Sequence, residues 1–378
     1  MRELRFMPRG RTLALLGLAA GCGGGAMTAP EPACSDGPPG TVCPVAGTGE
    51  LAFIRDGLPA LDTAFYLPSQ IRRGPDGLLY IMDYNNMRLR RIEADGTIST
   101  LAGDGFHAGA TEGLPATDSS LENPIDFDFL PDGRVVFVSN HDPRVLVIDH
   151  DGTLQRLAGD AQPGMAGSEG DGGPALRAQF LETLGLVVAR DGAIYVSDHL
   201  AHRIRVIRDG VITTYAGTGV QGQSGDGGPA TQAQLDGPTA MALDAAGNLY
   251  TTDAGTSVVR RIAVDGTIST VAGTGVFGFD GDGGPATQAK LARPDGIAVA
   301  ADGTLFIGDR LNDRIRKVAT DGTITTIAGT GVRAMTGDGG PATEAAFGYV
   351  SRVQLDTDGS LLVADQTNSC IRRILGPL

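Results

Sequence analysis

At 378 residues, with 57 glycines, no tryptophan and 20% charged residues, the chain has the composition of many short strands joined by tight turns, not of long helices. Its formal net charge of −14 argues against nucleic acid as a partner, because neutralising a phosphate backbone takes a concentrated basic surface.

In chain order, the first element expected is an export signal over residues 1–21. Arg2, Arg5, Arg9 and Arg11 precede an apolar run from Leu13 to Ala20 that is too short to span a bilayer. The segment Leu18-Ala19-Ala20-Gly21-Cys22 resembles the bacterial lipobox, although Ala19 stands where Leu is commoner. The resemblance implies cleavage before Cys22, a lipid on its thiol, and an extracytoplasmic, membrane-anchored protein of the cell envelope. An ordinary secretory signal cut nearby is the other reading. Residues 22–40, rich in Gly, Ala and Pro, read as a tether that lets the globular part stand off the membrane. Export favours disulfides. Cys34 and Cys43 flank a short Gly/Pro-rich loop and are the preferred pair, with Cys370 open as an alternative partner.

Residues 41–378 are a repeat. Ala-Gly recurs at Ala46, Ala102, Ala158, Ala216, Ala272 and Ala328, at spacings of 56, 56, 58, 56 and 56 residues. Within the clearest unit, Ile297–Val299, Leu305–Ile307, Ile315–Val318 and Ile324–Ile327 are short β-rich runs separated by turn residues, giving strands a, b, c and d. Six four-stranded antiparallel units predict an all-β, six-bladed β-propeller. The chain stops after a strand c, Ile371 to Ile374, while Thr41 to Gly47 matches a strand d. The amino-terminal strand is therefore expected to complete the last blade and close the ring, with Pro44 tolerated on an outer edge.

Pro294-Asp295-Gly296-Ile297-Ala298-Val299, Gly308-Asp309-Arg310-Leu311-Asn312-Asp313-Arg314-Ile315-Arg316-Lys317 and Asp321-Gly322-Thr323-Ile324 resemble NHL repeats. The Gly-Asp-Gly-Gly-Pro-Ala insert is similar to those of teneurin propellers and of many bacterial exported proteins. That resemblance implies a binding or scaffold role for the propeller. Related six-bladed enzymes, lyases and lactonases, place a metal on the axis, which makes a metal-assisted lyase or lactonase the alternative.

Three sets of polar residues bear on the choice. Asp56, Glu112, Asp171, Asp226, Asp282 and Asp338 occupy one equivalent place in the d-to-a connections and are expected to form a carboxylate rim that caps turns. One acid per loop is poor provision for calcium. Asp83 with Arg88, Asp198 with Arg203 and Asp309 with Arg314 repeat an Asp-x-x-x-x-Arg spacing, expected to be structural hydrogen bonds of the b-to-c turn. His107, His141, His199 and His202 fall in connections of one face and His150 elsewhere. Two or three of them could share zinc, but solvated loop histidines are the preferred reading, and no cofactor is expected.

Strand a, nearest the axis, is irregular. Small residues occupy it in three blades (Gly185 and Val187, Ala240 and Ala242, Gly296 and Ala298), whereas Arg352 and Gln354, Gln70 and Arg72, and Asp126 and Asp128 stand at the same places in blades six, one and two. Arg73 extends the set. Charge near an axis is costly unless paired or solvated, so the arc is either an ion-pair network or a ligand pocket at the channel mouth. The leading functional reading is a monomeric, non-catalytic, lipid-anchored protein that uses a propeller face to bind a protein, peptide or glycan of the envelope.

Overall fold

The computed structural model describes residues 36–160 and 169–378. Cys22, Cys34, the expected signal segment and most of the tether lie outside these residues. The described chain forms six four-stranded antiparallel sheets. Their innermost strands are Pro68–Arg73, Pro124–Phe129, Thr183–Val188, Pro238–Leu243, Gly296–Val299 and Val350–Leu355. Each inner strand packs against those of both neighbouring blades, and the series returns from blade 6 to blade 1. The apolar core is correspondingly divided among six clusters, one at each blade-to-blade contact. No helix among the described residues is long and apolar enough to cross a membrane.

Closure occurs where the sequence places it. Val42–Ala46 pairs antiparallel with Cys370–Ile374, with Val42 opposite Ile374 and Pro44 opposite Arg372. Val42 is fully buried with Phe306, Ile315 and Phe347. Cys43 is disulfide-bonded, and Cys370 is a free, buried thiol, which removes Cys370 as its partner.

The inserts have a definite role. In the unit of Asp282, Gly283 N donates to Ile324 O at 2.8 Å and Ile324 N to Gly284 O at 3.0 Å, so the insert covers the outer strand of the following blade and shields a sheet edge. Before blade 6 the same bonds run from Gly339 N to Val42 O and from Val42 N to Gly340 O; the amino-terminal strand is thus treated as an ordinary strand d. In the c-to-d hairpins, Asp321 Oδ1 accepts from Thr323 N at 2.9 Å while Gly322 takes φ +85°, a left-handed position that favours glycine.

The rim carboxylates do not behave as expected. Asp56, Asp171, Asp226, Asp282 and Asp338 pair with Arg90, Arg205, Arg260, Arg316 and Arg372 at 2.6–2.8 Å, and all five arginines are fully buried in strand c. A buried guanidinium needs a carboxylate more than a turn needs a cap, so these acids are committed and form no free rim. The aspartates ending strand b are corrected likewise. Asp83 meets Arg90 at 3.3 Å, Asp309 meets Arg316 at 3.3 Å and Asp198 meets Arg205 at 3.9 Å, seven residues on instead of five. Arg88 and Arg314 instead donate to the loop carbonyls of Asp104 and Thr330, and Arg203 to that of Thr218.

Burial pushes Asp83, Asp198, Asp309 and Asp365 up from an ordinary 3.8 to about 6, and Asp253 to about 7, against the backbone amides and arginines that favour the charged form. The folded protein therefore holds more protons than the unfolded chain in this range, and the resulting stabilisation is full below about pH 4 and lost as pH rises through 6 to 7. Tm is expected to rise when the pH is lowered from about 7.5 to about 5; a fall in Tm over that interval contradicts the assignment.

Candidate functional site

Six of the seven arc residues come together around the axis, in two layers set by the alternation of side chains along a strand. The first layer is Gln70, Asp126 and Arg352, at 2%, 1% and 4% exposure. Gln70 Nε2 donates to Asp126 Oδ1 at 2.7 Å, and Leu186 N to Asp126 Oδ2 at 3.1 Å. Arg352 crosses the axis. From blade 6 its Nη2 donates to Leu184 O of blade 3, three blades away, at 2.7 Å, and its Nη1 lies 3.3 Å from Asp295 Oδ1 of blade 5. Burial raises the Asp295 carboxyl, but Arg352, Arg310 and Arg293 hold it below the usual range. Gly185 of blade 3 stands at the same level because a Cβ there would sit 1.9 Å from Thr239 O.

The second layer is Arg72, Asp128 and Gln354. Arg72 Nη1 donates to Gln354 Oε1 at 3.1 Å, while Asp128 and Asp126 lie 3.8 and 3.9 Å from its guanidinium, beyond hydrogen-bond reach. Its buried Nε has no partner. Asp128 accepts from Phe129 N and Val188 N, both at 2.9 Å; burial raises its carboxyl and Arg72 opposes the rise.

Arg73 does not belong to the arc. It follows Arg72 and so faces the opposite side of the strand, where it clamps Asp356 through Nε and Nη2, both at 2.6 Å. Burial raises the Asp356 carboxyl, but Arg73 holds it low.

A pocket of about 770 Å³ opens at the end of the inner strands that leads into the a-to-b turns. Arg72, Asp128 and Gln354 form its polar wall, and Val187, Ala242 and Ala298 stand on the apolar side. Gln70, Asp126 and Arg352 do not line it; they are buried one layer further along the inner strands. The arc is therefore an ion-pair and hydrogen-bond network in one layer and a pocket wall in the next. The acids fit an axial cation poorly: both oxygens of Asp126 and of Asp128 already accept hydrogen bonds. His199 and His202 are taken up by loop packing, beside Pro238 O at 3.3 Å and Gly237 N at 3.2 Å.

Residues 277–336 match the teneurin NHL domain. Mouse teneurin-1 is 30% identical over 349 residues, covering 84% of this chain and 12% of that protein, and Drosophila melanogaster teneurin-m is 26% identical over 348 residues. The chain is a six-bladed propeller of NHL repeats. It spans about one eighth of the length of these teneurins, 12% in each case. Among solved structures, the NHL propeller is similar to an auxiliary nutrient-binding protein from Bacteroides thetaiotaomicron, with TM-score 0.64, 16% identity and coverage of 88% of this chain and 76% of that one. A gluconolactonase from Xanthomonas campestris gives TM-score 0.57 at 15% identity, covering 91% and 97%. Both likenesses are of fold.

Proposed function

We propose that this NHL propeller is a non-catalytic binding protein, held by a lipid on Cys22 at the extracytoplasmic side of the envelope, and that its ligand is a peptide or glycan group seated in the channel-mouth pocket. The observation that carries the reading is Arg72: a pocket-lining guanidinium with a single hydrogen bond and an unpartnered Nε. Such a group gains most from an acceptor-rich ligand, a carboxylate or a row of hydroxyls, while Val187, Ala242 and Ala298 offer a surface for its apolar side. Arg190, exposed at the pocket, has no ion-pair partner among the described residues, whereas Arg208, which also lines the pocket, is paired with Asp191.

The two layers separate binding from stability. Thermal-shift and calorimetric titration of acidic sugars, neutral oligosaccharides and short peptides should find a ligand whose affinity falls at least about tenfold in Arg72→Ala, with stability changed by about 1 kcal/mol or less. Arg352→Ala should instead cost about 3 kcal/mol, because it removes the cation 3.7 Å from buried Asp126 and the charged donor to Asp295. Equal destabilisation by both variants, with ligand affinity untouched, would reduce the pocket to structural packing.

A further inference from the structure

Opposite the pocket, on the face of the inserts and b-to-c turns, three potential metal ligands converge in blade 2. His107 lies in the connection entering the blade, Glu122 just before its inner strand and His141 in its b-to-c turn. Their ligand atoms all lie within 4.8 Å of one another. His107 Nε2 is 3.1 Å from Glu122 Oε1, and His141 Nδ1 is 3.9 Å from the same oxygen. Four-coordinate zinc with bonds of 2.0–2.2 Å sets its ligand atoms roughly 3.3–3.5 Å apart, so small side-chain rotations suffice. We propose that His107, Glu122 and His141 form a zinc site.

The repeat supplies an internal control. His107 bridges Leu121 as Leu51 bridges Phe65, Gln221 bridges Leu235 and Phe277 bridges Leu291; the backbone there is indifferent to side chain, and histidine appears in this blade alone among those four. At the place of His141 the sequence has Asn85 in blade 1 and Leu311 in blade 5. Neither imidazole is a requirement of the fold. Asn123 adds a neighbouring oxygen: its Oδ1 lies 2.6 Å from His107 Nε2, and its amide nitrogen donates to Asn85 Oδ1 at 3.2 Å, which holds the oxygen toward the imidazole. Zinc takes the Nε2 lone pair of His107, so the bound imidazole is the neutral tautomer that carries its proton on Nδ1. The fourth position then goes to Asn123 Oδ1, water or a donor from a partner. The histidine side chains are 51% and 55% exposed, so a partner's carboxylate or imidazole can reach the ion.

The test uses the full chain, stripped with chelator and titrated with zinc by calorimetry and with cobalt(II) by visible absorption. One zinc per chain and a tetrahedral cobalt spectrum are expected. His107→Ala, His141→Ala and Glu122→Gln should each weaken zinc at least about tenfold and abolish the cobalt bands, while the double variant His199→Ala/His202→Ala keeps both. Because the imidazoles are solvent-exposed, the unfolding midpoint of the metal-free variants should equal that of the metal-free parent. Zinc affinity unchanged in the His107→Ala/His141→Ala double variant, or no stoichiometric zinc in the parent, overturns the proposal.

Discussion

Arg316→Leu is expected to destabilise the protein by about 3–5 kcal/mol, read by denaturant unfolding. Arg316 is fully buried, donates to Asp282 at 2.8 Å and lies 3.3 Å from Asp309. Its removal leaves Asp309, also fully buried, without its cation. The protein already contains the compensated version. In blade 2, Ser139 and Leu146 stand where other blades have this aspartate and arginine, and both are buried; Arg144 instead joins Asp142 and Glu112 from the turn, the latter at 3.4 Å. Copying blade 2 as Asp309→Ser/Arg316→Leu should therefore cost less than the single Arg316→Leu change, with a coupling of about 1–3 kcal/mol. A single substitution costing under about 1 kcal/mol, or strict additivity, contradicts the role given to these pairs.

Loss of the closing strand should be the most damaging change. Deleting residues 1–47 removes Val42 and Ala46 from the core and uncovers Ile371 and Ile374, all fully buried. Lost apolar burial and ladder hydrogen bonds together amount to roughly 5 kcal/mol or more. The uncovered edge of Cys370–Ile374 becomes a template for pairing with another chain, so the deletion variant should associate on size-exclusion chromatography and lose cooperative unfolding. Val42→Asp, which keeps the chain length and Cys43, should act in the same direction. An unchanged unfolding midpoint in both variants would mean that the ring does not depend on this strand.

The architecture was legible because a propeller is written as a period. The Ala-Gly spacing, four strands per unit and the match of Thr41 to Gly47 with a strand d led to the six sheets and to the closing pair. The arc was legible as an exception to the small residues of strand a, but its chemistry was not. Arg73 extends the set because it stands where the pattern has a valine, Val299 in the fifth blade, although the two-residue period of a strand already sets it on the opposite face from Arg72. Arg352 reaching Leu184 of blade 3 depends on a side chain crossing the axis, which no local pattern encodes. The buried arginines could have been found: Arg90, Arg205, Arg260, Arg316 and Arg372 recur at one place in strand c, two residues after the Arg88 and Arg314 positions that attracted notice. Their repetition beside one acid at the equivalent place of each insert is the signal that the acids are partners, not a rim. The grouping of His107 and His141 with Glu122 brings together three separate turns of one blade, and only the folded chain brings them within reach.

Hydrogen exchange in the native state tests the ring most directly. If Val42–Ala46 is the fourth strand of the last blade, the amides of residues 41–47 should exchange with the same free energy as those of Cys370–Ile374, both through global unfolding. Rapid exchange of residues 41–47 while Cys370–Ile374 stays protected would contradict the closure, and with it the juxtaposition of blades 6, 1 and 2 that brings Arg72, Asp128 and Gln354 together at the pocket.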